Sequence, residues 1–395
     1  MILTTNLISY FFYRIVHSTW SFISNAISSF SAQPEDQKCE IRSILCRRKY
    51  FEADIARECD FLTMFHSYDS LETLINKDSK WVLYTFTRNH VYFVQLPKSL
   101  TKYNALVEPF VYAALWRDAV QLARIEIAQF LQLENKVADR SNDIIYSTNT
   151  PRSGTTLLTK LLHHDRKCIG LQELPVFTKL AIFRQEKKFT DAQLKKLLRA
   201  SLRFYMIPIP SGMKCIMKTR SNGIVLCDMM REINPEIKQI FMYRRNVPKA
   251  VASNEKMMTI LGGHETVFRY ERSNYRLLNC NTILEYAWVI FASGYARYLA
   301  GPSLQDFVTT YEDLMSDPTS TLKHLYTMLD LPLDYIPTAL KQIELDSQEN
   351  TTLSREKMGA IVSTDPTEVD VKRARWVATQ LGLPADFFLP GFYIQ

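Results

Sequence analysis

The residues best suited to bind an anion lie in the segment 150–156, which reads Thr-Pro-Arg-Ser-Gly-Thr-Thr. A short apolar run, Asp143 to Ser147, precedes this segment and is typical of a buried parallel strand. Thr155 to Leu162 follows and places its leucines on one helical face. A helix start presents unpaired backbone N–H groups and the positive end of the helix dipole, and this segment adds a guanidinium and hydroxyl groups. The pattern therefore predicts a strand, a tight turn and a helix that together bind an oxyanion.

The anion-binding turn lacks the features of a nucleotide-triphosphatase loop, G-x-x-x-x-G-K-[ST], because a second glycine and the lysine are missing. Its sequence Pro-Arg-Ser-Gly-Thr-Thr-Leu instead resembles the 5′-phosphosulfate loop of sulfotransferases, which use 3′-phosphoadenosine 5′-phosphosulfate (PAPS). It looks most like the tyrosylprotein and Golgi-type branches, since cytosolic members usually carry lysine at the position of Arg152. An unrelated helix capped by serine and threonine is the alternative. The resemblance implies that the 5′-phosphosulfate is bound by Arg152, Ser153, Gly154, Thr155 and Thr156.

A second motif follows the strand predicted for Gln239–Tyr243 and reads Arg-Arg-Asn-Val-Pro-Lys-Ala-Val-Ala-Ser. In sulfotransferases, an arginine at this strand end and a serine eight positions later bind the 3′-phosphate. Arg245 and Ser253 have that separation. The chemistry suits a dianion, because the arginine supplies a forked donor and the serine adds a neutral hydrogen bond. A strand-end arginine pair alone is more typical of a protein surface, but its order and distance after the first loop favour one shared cofactor site.

A third agreement with the family is the segment Thr-Tyr-Glu-Asp-Leu at 310–314, followed by Asp317 and a proline. The resemblance implies that Tyr311 borders the adenine. The alternative is that these side chains only pack and that Asp317 caps the next helix. The glycine-rich C-terminal segment that closes over the cofactor in cytosolic members is not evident, and residues 352–357 are the candidate replacement.

Sulfuryl transfer requires removal of the acceptor proton and positive charge around the sulfuryl and bridging oxygens. Glu173 matches the general base of the tyrosylprotein branch, and partial desolvation would raise its pKa towards a useful range. Lys218, in the strand predicted for Lys214–Thr219, matches the family lysine that stabilises charge on the transferred group. Cytosolic members place a histidine base two residues later, where this chain has Arg220. That difference favours Glu173 as the base or else indicates a changed or lost activity; a surface carboxylate and a solvated lysine are the alternatives.

The composition of the chain, 395 residues with 47% apolar and 23% charged residues, is that of a globular protein. The net charge of +7 suits an anionic ligand but is too small over this length to indicate a nucleic-acid partner. The seven cysteines are odd in number and have neither disulfide-framework nor zinc-site spacing. No set of metal-binding carboxylates accompanies the anion-binding turn, so we expect a metal-independent reaction.

The fold predicted for residues 141–395 is an α/β, P-loop-like three-layer sandwich with a central parallel sheet, because apolar strands alternate with helical segments. Residues 37–140 are predicted as an α+β extension with a hairpin of Trp81–Phe86 and Val91–Leu96 and a helix over Pro109–Gln132. The strands predicted for the parallel sheet are Ile144–Ser147, Lys214–Thr219, Gln239–Tyr243 and Phe307–Thr310. The helices predicted beyond the first loop are Thr190–Tyr205, Ile283–Leu299 and Pro318–Leu329.

Residues 1–36 are predicted to form a helix and a linker. Met1–Ala32 carries apolar residues at steps of three or four with serines on the other side, and Ser31–Gln37 has a linker composition. A membrane-spanning helix needs about twenty predominantly apolar residues, and this segment is too polar to predict one firmly. An interfacial or self-packed helix, a signal anchor and a disordered segment therefore stay open. The first of these would bring membrane contact through the N-terminal helix.

Together the three motifs predict an enzyme that moves a sulfuryl group from PAPS to an acceptor hydroxyl by in-line displacement. The acceptor, whether a small molecule, a glycan or a protein tyrosine, stays open because acceptor pockets are built from variable loops. Two other functions stay open: a non-catalytic sulfotransferase-like scaffold, favoured by Arg220, and a nucleotide phosphotransferase, which would need the missing lysine and a Mg²⁺ site. The sequon at Asn350 favours a Golgi membrane with a lumenal catalytic domain, whereas the odd cysteine count favours a cytoplasmic or membrane-associated protein. The oligomeric state is left open.

Overall fold

The structure, a computed structural model, describes residues 2–30, 38–261, 269–361 and 367–394. The linker predicted at 31–37 lies outside the described residues. The chain divides into two compact units, and the domain boundaries predicted at 36 and 140 stay predictions. The first unit comprises Met1–Ser141 and Leu174–Gly212, and the second comprises Asn142–Glu173 and Met213–Gln395.

The first unit contains a five-stranded antiparallel sheet. Its strands are β1 (Lys38–Arg47), β2 (Phe61–Ser70), β3 (Trp81–Phe86), β4 (His90–Gln95) and β5 (Gln121–Glu126). The strand order is β2-β1-β5-β4-β3, so that β2 and β3 are the edges. The predicted hairpin is present as β3 and β4. The helices of this unit are Ile2–Phe30, Val111–Arg117, Ile127–Glu134, Pro175–Gln185 and Asp191–Met206.

The single helix predicted over Pro109–Gln132 is wrong. The segment forms a short helix, then strand β5, then a second helix. Its spacing of apolar residues fits a helix, but Leu122, Ala123 and Ile125 are also buried as a strand would bury them. β5 hydrogen-bonds to β1 on one side and to β4 on the other. Two neighbouring strands with unpaired backbone groups thus outweigh the local helical pattern, since β-structure depends on tertiary partners.

Two other helices of the first unit follow their sequence signals. The helix Asp191–Met206 begins after Thr190, whose hydroxyl accepts a hydrogen bond from the backbone N–H of Gln193 at 3.3 Å. The backbone N–H of Thr190 in turn donates to Gln193 Oε1 at 3.0 Å, which completes a capping box. The N-terminal helix spans Ile2–Phe30, as its apolar stripe predicts. Among the described helices, none is long and apolar enough to cross a membrane.

The second unit is built on a five-stranded parallel sheet, which confirms the predicted α/β class. Its strands are β6 (Ile144–Asn149), β7 (Cys168–Gln172), β8 (Lys214–Lys218), β9 (Lys238–Tyr243) and β10 (Phe307–Thr310). The order is β10-β9-β6-β8-β7, with β6 in the centre. The chain leaves β6 towards one side for β7 and β8 and towards the other for β9 and β10. The loop after β6 therefore lies at a topological switch point, where ligands bind in open α/β sheets.

Helices cover both faces of this sheet, because successive strand residues point to opposite sides. Ile240 and Met242 of β9 belong to a core cluster that includes leucines of the helices Thr155–Leu162 and Pro318–Met328. Phe241, between them, stacks on Tyr298 of the helix Ile283–Ala300, with ring centroids 4.6 Å apart. The unit is thus a three-layer sandwich. Its described helices are Thr155–Leu162, Cys227–Ile233, Val247–Ile260, Arg272–Leu277, Ile283–Ala300, Tyr311–Ser316, Pro318–Met328, Ile336–Leu340, Arg355–Gly359 and Glu368–Gln380.

The four strands predicted for the parallel sheet are present with ends shifted by no more than two residues. The fifth strand, β7, was not predicted. It is a short edge strand, Cys168–Gln172, and contains a glycine, so its sequence carries little strand signal. β7 is nevertheless important for the site, because it ends immediately before Glu173.

Candidate active site

The predicted site residues lie in the segments that follow the carboxyl ends of the parallel strands. All strands of a parallel sheet end at the same edge, so these segments converge there. The loop 150–154 follows β6, Glu173 follows β7, Arg244 and Arg245 follow β9, and Tyr311 follows β10. Lys218 is the last residue of β8.

The turn 150–154 depends on two residues with left-handed backbone conformations. Arg152 has φ 60° and Gly154 has φ 89°, and Gly154 is the N-cap of the helix Thr155–Leu162. A Cβ placed on Gly154 would lie 2.6 Å from Cδ2 of Tyr311, so only glycine fits between the turn and that ring. Left-handed residues other than glycine are uncommon and often lie at functional sites. The turn is thus held in an unusual conformation beside Tyr311.

Two hydroxyl groups of the turn have no hydrogen-bond partner among the described residues: Thr150 Oγ1 and Ser153 Oγ. Thr150 is 0% exposed and Ser153 is 1% exposed. A buried polar atom without a partner costs free energy, so such atoms usually receive a bond from a ligand or water. Thr155 and Thr156, in the first turn of the helix, are buried beside them. Together with the helix start, these groups suit a phosphate or sulfate.

Arg152 extends from the turn to the second motif. Its Nε donates to Ser253 Oγ at 3.1 Å, and its Nη1 donates to Gln348 Oε1 at 3.0 Å. Burial and the nearby charge of Arg244 lower the pKa of Arg152 to about 10, although Glu173 and Asp346 act in the opposite direction. An anion placed between Arg152 and Arg244 would relieve this unfavourable charge. The contact with Ser253 brings the first and second sequence motifs together.

The two arginines after β9 have different surroundings. Arg245 forms an ion pair with Asp313, and its Nε donates to Thr310 Oγ1 at 3.2 Å. The guanidinium of Arg244 lies over the ring of Tyr311 at 4.4 Å from the centroid, and its Nε is 4.0 Å from Glu312 Oε1. Arg244 Nε is buried without a hydrogen bond in the described residues. Arg244 thus acts on Arg152 through its charge, while Arg245 is bonded to residues of the third motif.

Glu173 joins the ends of β7 and β8 through ion pairs. Its Oε1 accepts a hydrogen bond from Lys218 Nζ at 2.5 Å, and its Oε2 accepts one from Arg220 Nε at 3.0 Å. The side chain is 13% exposed. Its backbone, with φ 58°, is left-handed and donates to the Lys218 carbonyl at 2.6 Å. Arg220 also contacts Tyr270, whose hydroxyl it bonds.

The expectation that the pKa of Glu173 would be raised is wrong. Burial alone would raise this pKa, but the charges of Lys218 and Arg220 and the hydrogen bonds that they donate lower it below its ordinary value. Desolvation alone favours a raised pKa, but the sequence does not show that Arg220 joins Lys218 beside the Glu173 carboxylate. In this arrangement Glu173 is a carboxylate that is fully engaged by two basic side chains.

Several residues of this site were not predicted as contributors. Gln348 lies nearly two hundred residues after Arg152, so only folding reveals their contact. Arg244 was visible as part of an arginine pair, but its stacking on Tyr311 has no signal in the sequence. Gln172, at the end of β7, is fully buried, and neither polar atom of its side-chain amide bonds a described residue. Its position before Glu173 was the available clue.

Comparison with known proteins places the geometry in a family context. Residues 145–335, slightly less than half of the chain, match the sulfotransferase family. The segment contains the turn, the basic residues Lys218 and Arg220, the arginine pair at 244–245, and Tyr311. The sequence has no significant match among curated proteins. In the part of the chain that the structure describes, no group of three or more His, Cys, Asp or Glu is arranged to hold a metal ion.

Solved sulfotransferase structures show distant similarity to the chain. Mouse sulfotransferase SULT7A1 complexed with PAP is 15% identical, with 61% of this chain and 76% of that chain covered and a TM-score of 0.32. Sulfotransferase STF9 from Mycobacterium avium is 15% identical, with coverages of 57% and 71% and a TM-score of 0.35. Retinol dehydratase in complex with androsterone and inactive cofactor PAP is 12% identical, with coverages of 67% and 87% and a TM-score of 0.34. At these TM-scores the similarity is too remote to transfer a function.

Proposed function

We propose that the protein is a sulfotransferase that moves a sulfuryl group from PAPS to an acceptor hydroxyl. The observation that carries the proposal is the anion-binding turn. It combines two buried hydroxyls that have no hydrogen-bond partner in the described part of the chain with a guanidinium whose pKa is lowered by burial and by Arg244. These groups fit the 5′-phosphosulfate, and the family match covers the same residues.

The remaining phosphate contacts follow from the second motif. Ser253 lies against Arg152, so a 3′-phosphate bound there would be close to the turn. In this proposal Arg245 also binds that phosphate, which requires it to release Asp313. Arg244 supplies a nearby positive charge, and Tyr311, packed against Gly154, borders the adenine. Arginine suits this role because its planar fork can bond two phosphate oxygens.

The reaction is an in-line displacement at sulfur. The acceptor oxygen forms a new bond to sulfur while the bond from sulfur to the 5′-phosphate oxygen breaks, and that oxygen leaves with the electron pair. Glu173 takes the acceptor proton, and Lys218 stabilises the charge on the transferred group and the leaving oxygen. No metal ion is required by this scheme.

The ion pairs of Glu173 add a condition to this scheme. A carboxylate with a lowered pKa is a weak base. The proposed base step therefore requires Lys218 to move its ammonium from Glu173 to the sulfuryl oxygens when PAPS binds. That change removes one of the two charges that lower the pKa of Glu173, while Arg220 keeps the carboxylate in place.

The acceptor belongs to the proposal only as a class, a hydroxyl group on a small molecule, glycan or protein tyrosine. The similarity of the turn to the tyrosylprotein and Golgi-type branches stays a prediction. It rests on Arg152 in place of lysine and on Glu173 as base. The variable loop 261–276 is one of those that we expect to line the acceptor pocket, and its residues 262–268 lie outside the described residues.

Calorimetry with adenosine 3′,5′-bisphosphate, the desulfated product, tests the proposal directly. We expect the full chain to bind this compound without metal, and to bind AMP much more weakly because AMP lacks the 3′-phosphate. Arg245→Ala should remove most of that preference. Arg244→Ala, the matched neighbour, should lower the affinities for both ligands to a similar extent. Equal affinity for the bisphosphate and AMP in the wild type would contradict the proposal, and Mg²⁺-dependent binding of ATP would favour a phosphotransferase.

A non-catalytic sulfotransferase-like scaffold is the second candidate, and one observation favours it. Arg220 occupies the position of the histidine base of cytosolic members and forms an ion pair with Glu173. A scaffold would bind adenosine 3′,5′-bisphosphate with the expected selectivity but would transfer no sulfuryl group from radiolabelled PAPS to hydroxyl, amine or tyrosine acceptors. Transfer to any of these acceptors would exclude the scaffold.

A further inference from the structure

The N-terminal helix is attached to the first unit by its polar side. Four of its side chains, at steps of three or four, bond the backbone of the segment 59–65, most of which lies in edge strand β2. These contacts are Tyr13 Oη to Cys59 O at 2.9 Å, His17 Nε2 with Phe61 O at 3.2 Å, Trp20 Nε1 to Thr63 O at 3.1 Å and Phe65 N to Ser24 Oγ at 3.1 Å. Their backbone partners are every second residue, as expected for groups on the free side of an edge strand. The rotation of the helix about its axis is therefore fixed.

This attachment leaves the apolar side of the helix facing away from the strand. An amphipathic helix normally buries that side against its own protein. Here large apolar side chains along several turns are between 43% and 78% exposed: Ile8, Phe11, Phe12, Ile15, Phe22 and Ile23. Large exposed apolar side chains that recur along one side of a helix indicate an interaction site rather than a solvated face, although Ser18 and Thr19 are also exposed on this side.

The charges around the apolar surface indicate what covers it. The helix contains no Asp or Glu, and its only Lys or Arg residue is Arg14. Four further arginines bond it: Arg48 donates to Ser9 Oγ at 3.3 Å, Arg57 to Tyr10 Oη at 3.1 Å, and Arg42 and Arg124 to Asn25 Oδ1. Arg57 is also ion-paired with Asp54, and Arg42 and Arg124 are ion-paired with Glu40, so Arg14 and Arg48 carry the positive charge at the border of the apolar surface. An apolar face bordered by arginines complements acyl chains beneath anionic headgroups. A helix of 29 residues, about 44 Å long, would lie along such a surface.

We propose that the apolar side of the helix Ile2–Phe30 docks in the plane of a lipid bilayer surface and holds the protein there. The polar side stays bonded to β2, so the helix does not have to detach or span the bilayer. Phe11, Phe12 and Phe22, which are 62%, 62% and 78% exposed, supply the largest apolar contacts. Arg14 and Arg48 add attraction to anionic lipid but do not replace the apolar contact.

Vesicle flotation of the full chain tests this proposal. We expect the wild type to float with phosphatidylcholine vesicles, and more strongly when phosphatidylserine is included. The double variant Phe12→Ser/Phe22→Ser should lose at least about tenfold in partitioning, because it removes two of the large exposed apolar groups that would enter the bilayer. Leu277→Ser/Val369→Ser is the matched control, since these residues are 73% and 75% exposed outside the helix. The control should float like the wild type.

Three results would overturn the proposal. One is a wild-type protein that floats with neither type of vesicle. Another is flotation only with phosphatidylserine that disappears at high salt, since this would locate the contact on arginines alone. The third is self-association of the wild type, measured by light scattering, that Phe12→Ser/Phe22→Ser abolishes without changing flotation, which would make a second copy the occupant. Unchanged circular dichroism of both double variants checks that each remains folded.

Discussion

The anion-binding turn follows β6, and the Glu173 cluster lies at the ends of β8 and β7, the next two strands of the same sheet, but the two regions differ in how their charges are compensated. In the turn, the buried hydroxyls of Thr150 and Ser153 have no hydrogen-bond partner among the residues that the structure describes, and the positive charge of Arg152 is repelled by that of Arg244. In the cluster, Glu173 is bonded by two cations. The turn is therefore prepared for an anion that arrives from outside, whereas the cluster already contains its own counter-charges. Binding should stabilise the first region and rearrange the second.

The largest effect should come from breaking the cluster chemically. We expect Glu173→Gln to lower the turnover of sulfuryl transfer by about 10²- to 10⁴-fold, because the proposed base is lost. Affinity for adenosine 3′,5′-bisphosphate should change little. Glu285→Gln is the control, since Glu285 is also 13% exposed and bonds an arginine, Arg373, away from the strand ends. Full turnover in Glu173→Gln, measured with labelled PAPS, would show that another group takes the proton.

Breaking the turn should act on binding instead. We expect Arg152→Ala to lower the affinity for adenosine 3′,5′-bisphosphate by about 100-fold, equivalent to about 2.7 kcal/mol of binding free energy. The affinity of Arg152→Lys should lie between those of the wild type and Arg152→Ala, because lysine keeps the positive charge but lacks the forked donors of the guanidinium. Without ligand, Arg152→Ala should have a melting temperature no lower than that of the wild type, because the substitution removes the charge repulsion between Arg152 and Arg244. A lower melting temperature together with unchanged affinity would make Arg152 a structural residue.

The pH dependence of stability should sharpen the contrast. The pKa of Glu173 is lower in the folded protein than its ordinary value of 4.5, so its stabilising contribution is present above that value. It is lost as the pH falls through the folded pKa. We expect the wild type to exceed Glu173→Gln by about 2 kcal/mol in unfolding free energy at neutral pH, and the difference to vanish in acid. Urea unfolding at several pH values measures this. A difference that stays constant from neutral to acid pH would contradict the assigned ion pairs.

The smallest effect concerns the shape of the turn. Gly154→Ala should reduce the unfolding free energy by about 1–2 kcal/mol, because the new Cβ meets Tyr311 and φ is 89°. The double variant Gly154→Ala/Tyr311→Ala should recover the steric part of the loss but not the part due to φ. Thermal unfolding of the two single variants and the double variant separates these contributions. Strictly additive losses would mean that the ring does not constrain the turn.

Local patterns predicted much of the second unit. The turn after β6, the helix Thr155–Leu162 and the strand Phe307–Thr310 have the predicted bounds. These elements depend on short-range features: hydrophobic alternation, a helix start rich in hydroxyls, and glycine where φ is positive. β5 and β7 were missed because their strand conformation depends on neighbours far along the chain.

The sequence by itself determined the chemistry of this protein, namely which side chains follow each strand and which family they resemble. Only the tertiary structure decided how those groups are paired. It joined Arg152 to Ser253, gave Glu173 two cations and so reversed the expected direction of its pKa shift. It also turned the apolar side of the N-terminal helix outwards, because β2 offered unpaired backbone groups to its polar side. Electrostatic and hydrogen-bonding energies depend on distances between groups, and those distances are set by folding rather than by spacing along the chain.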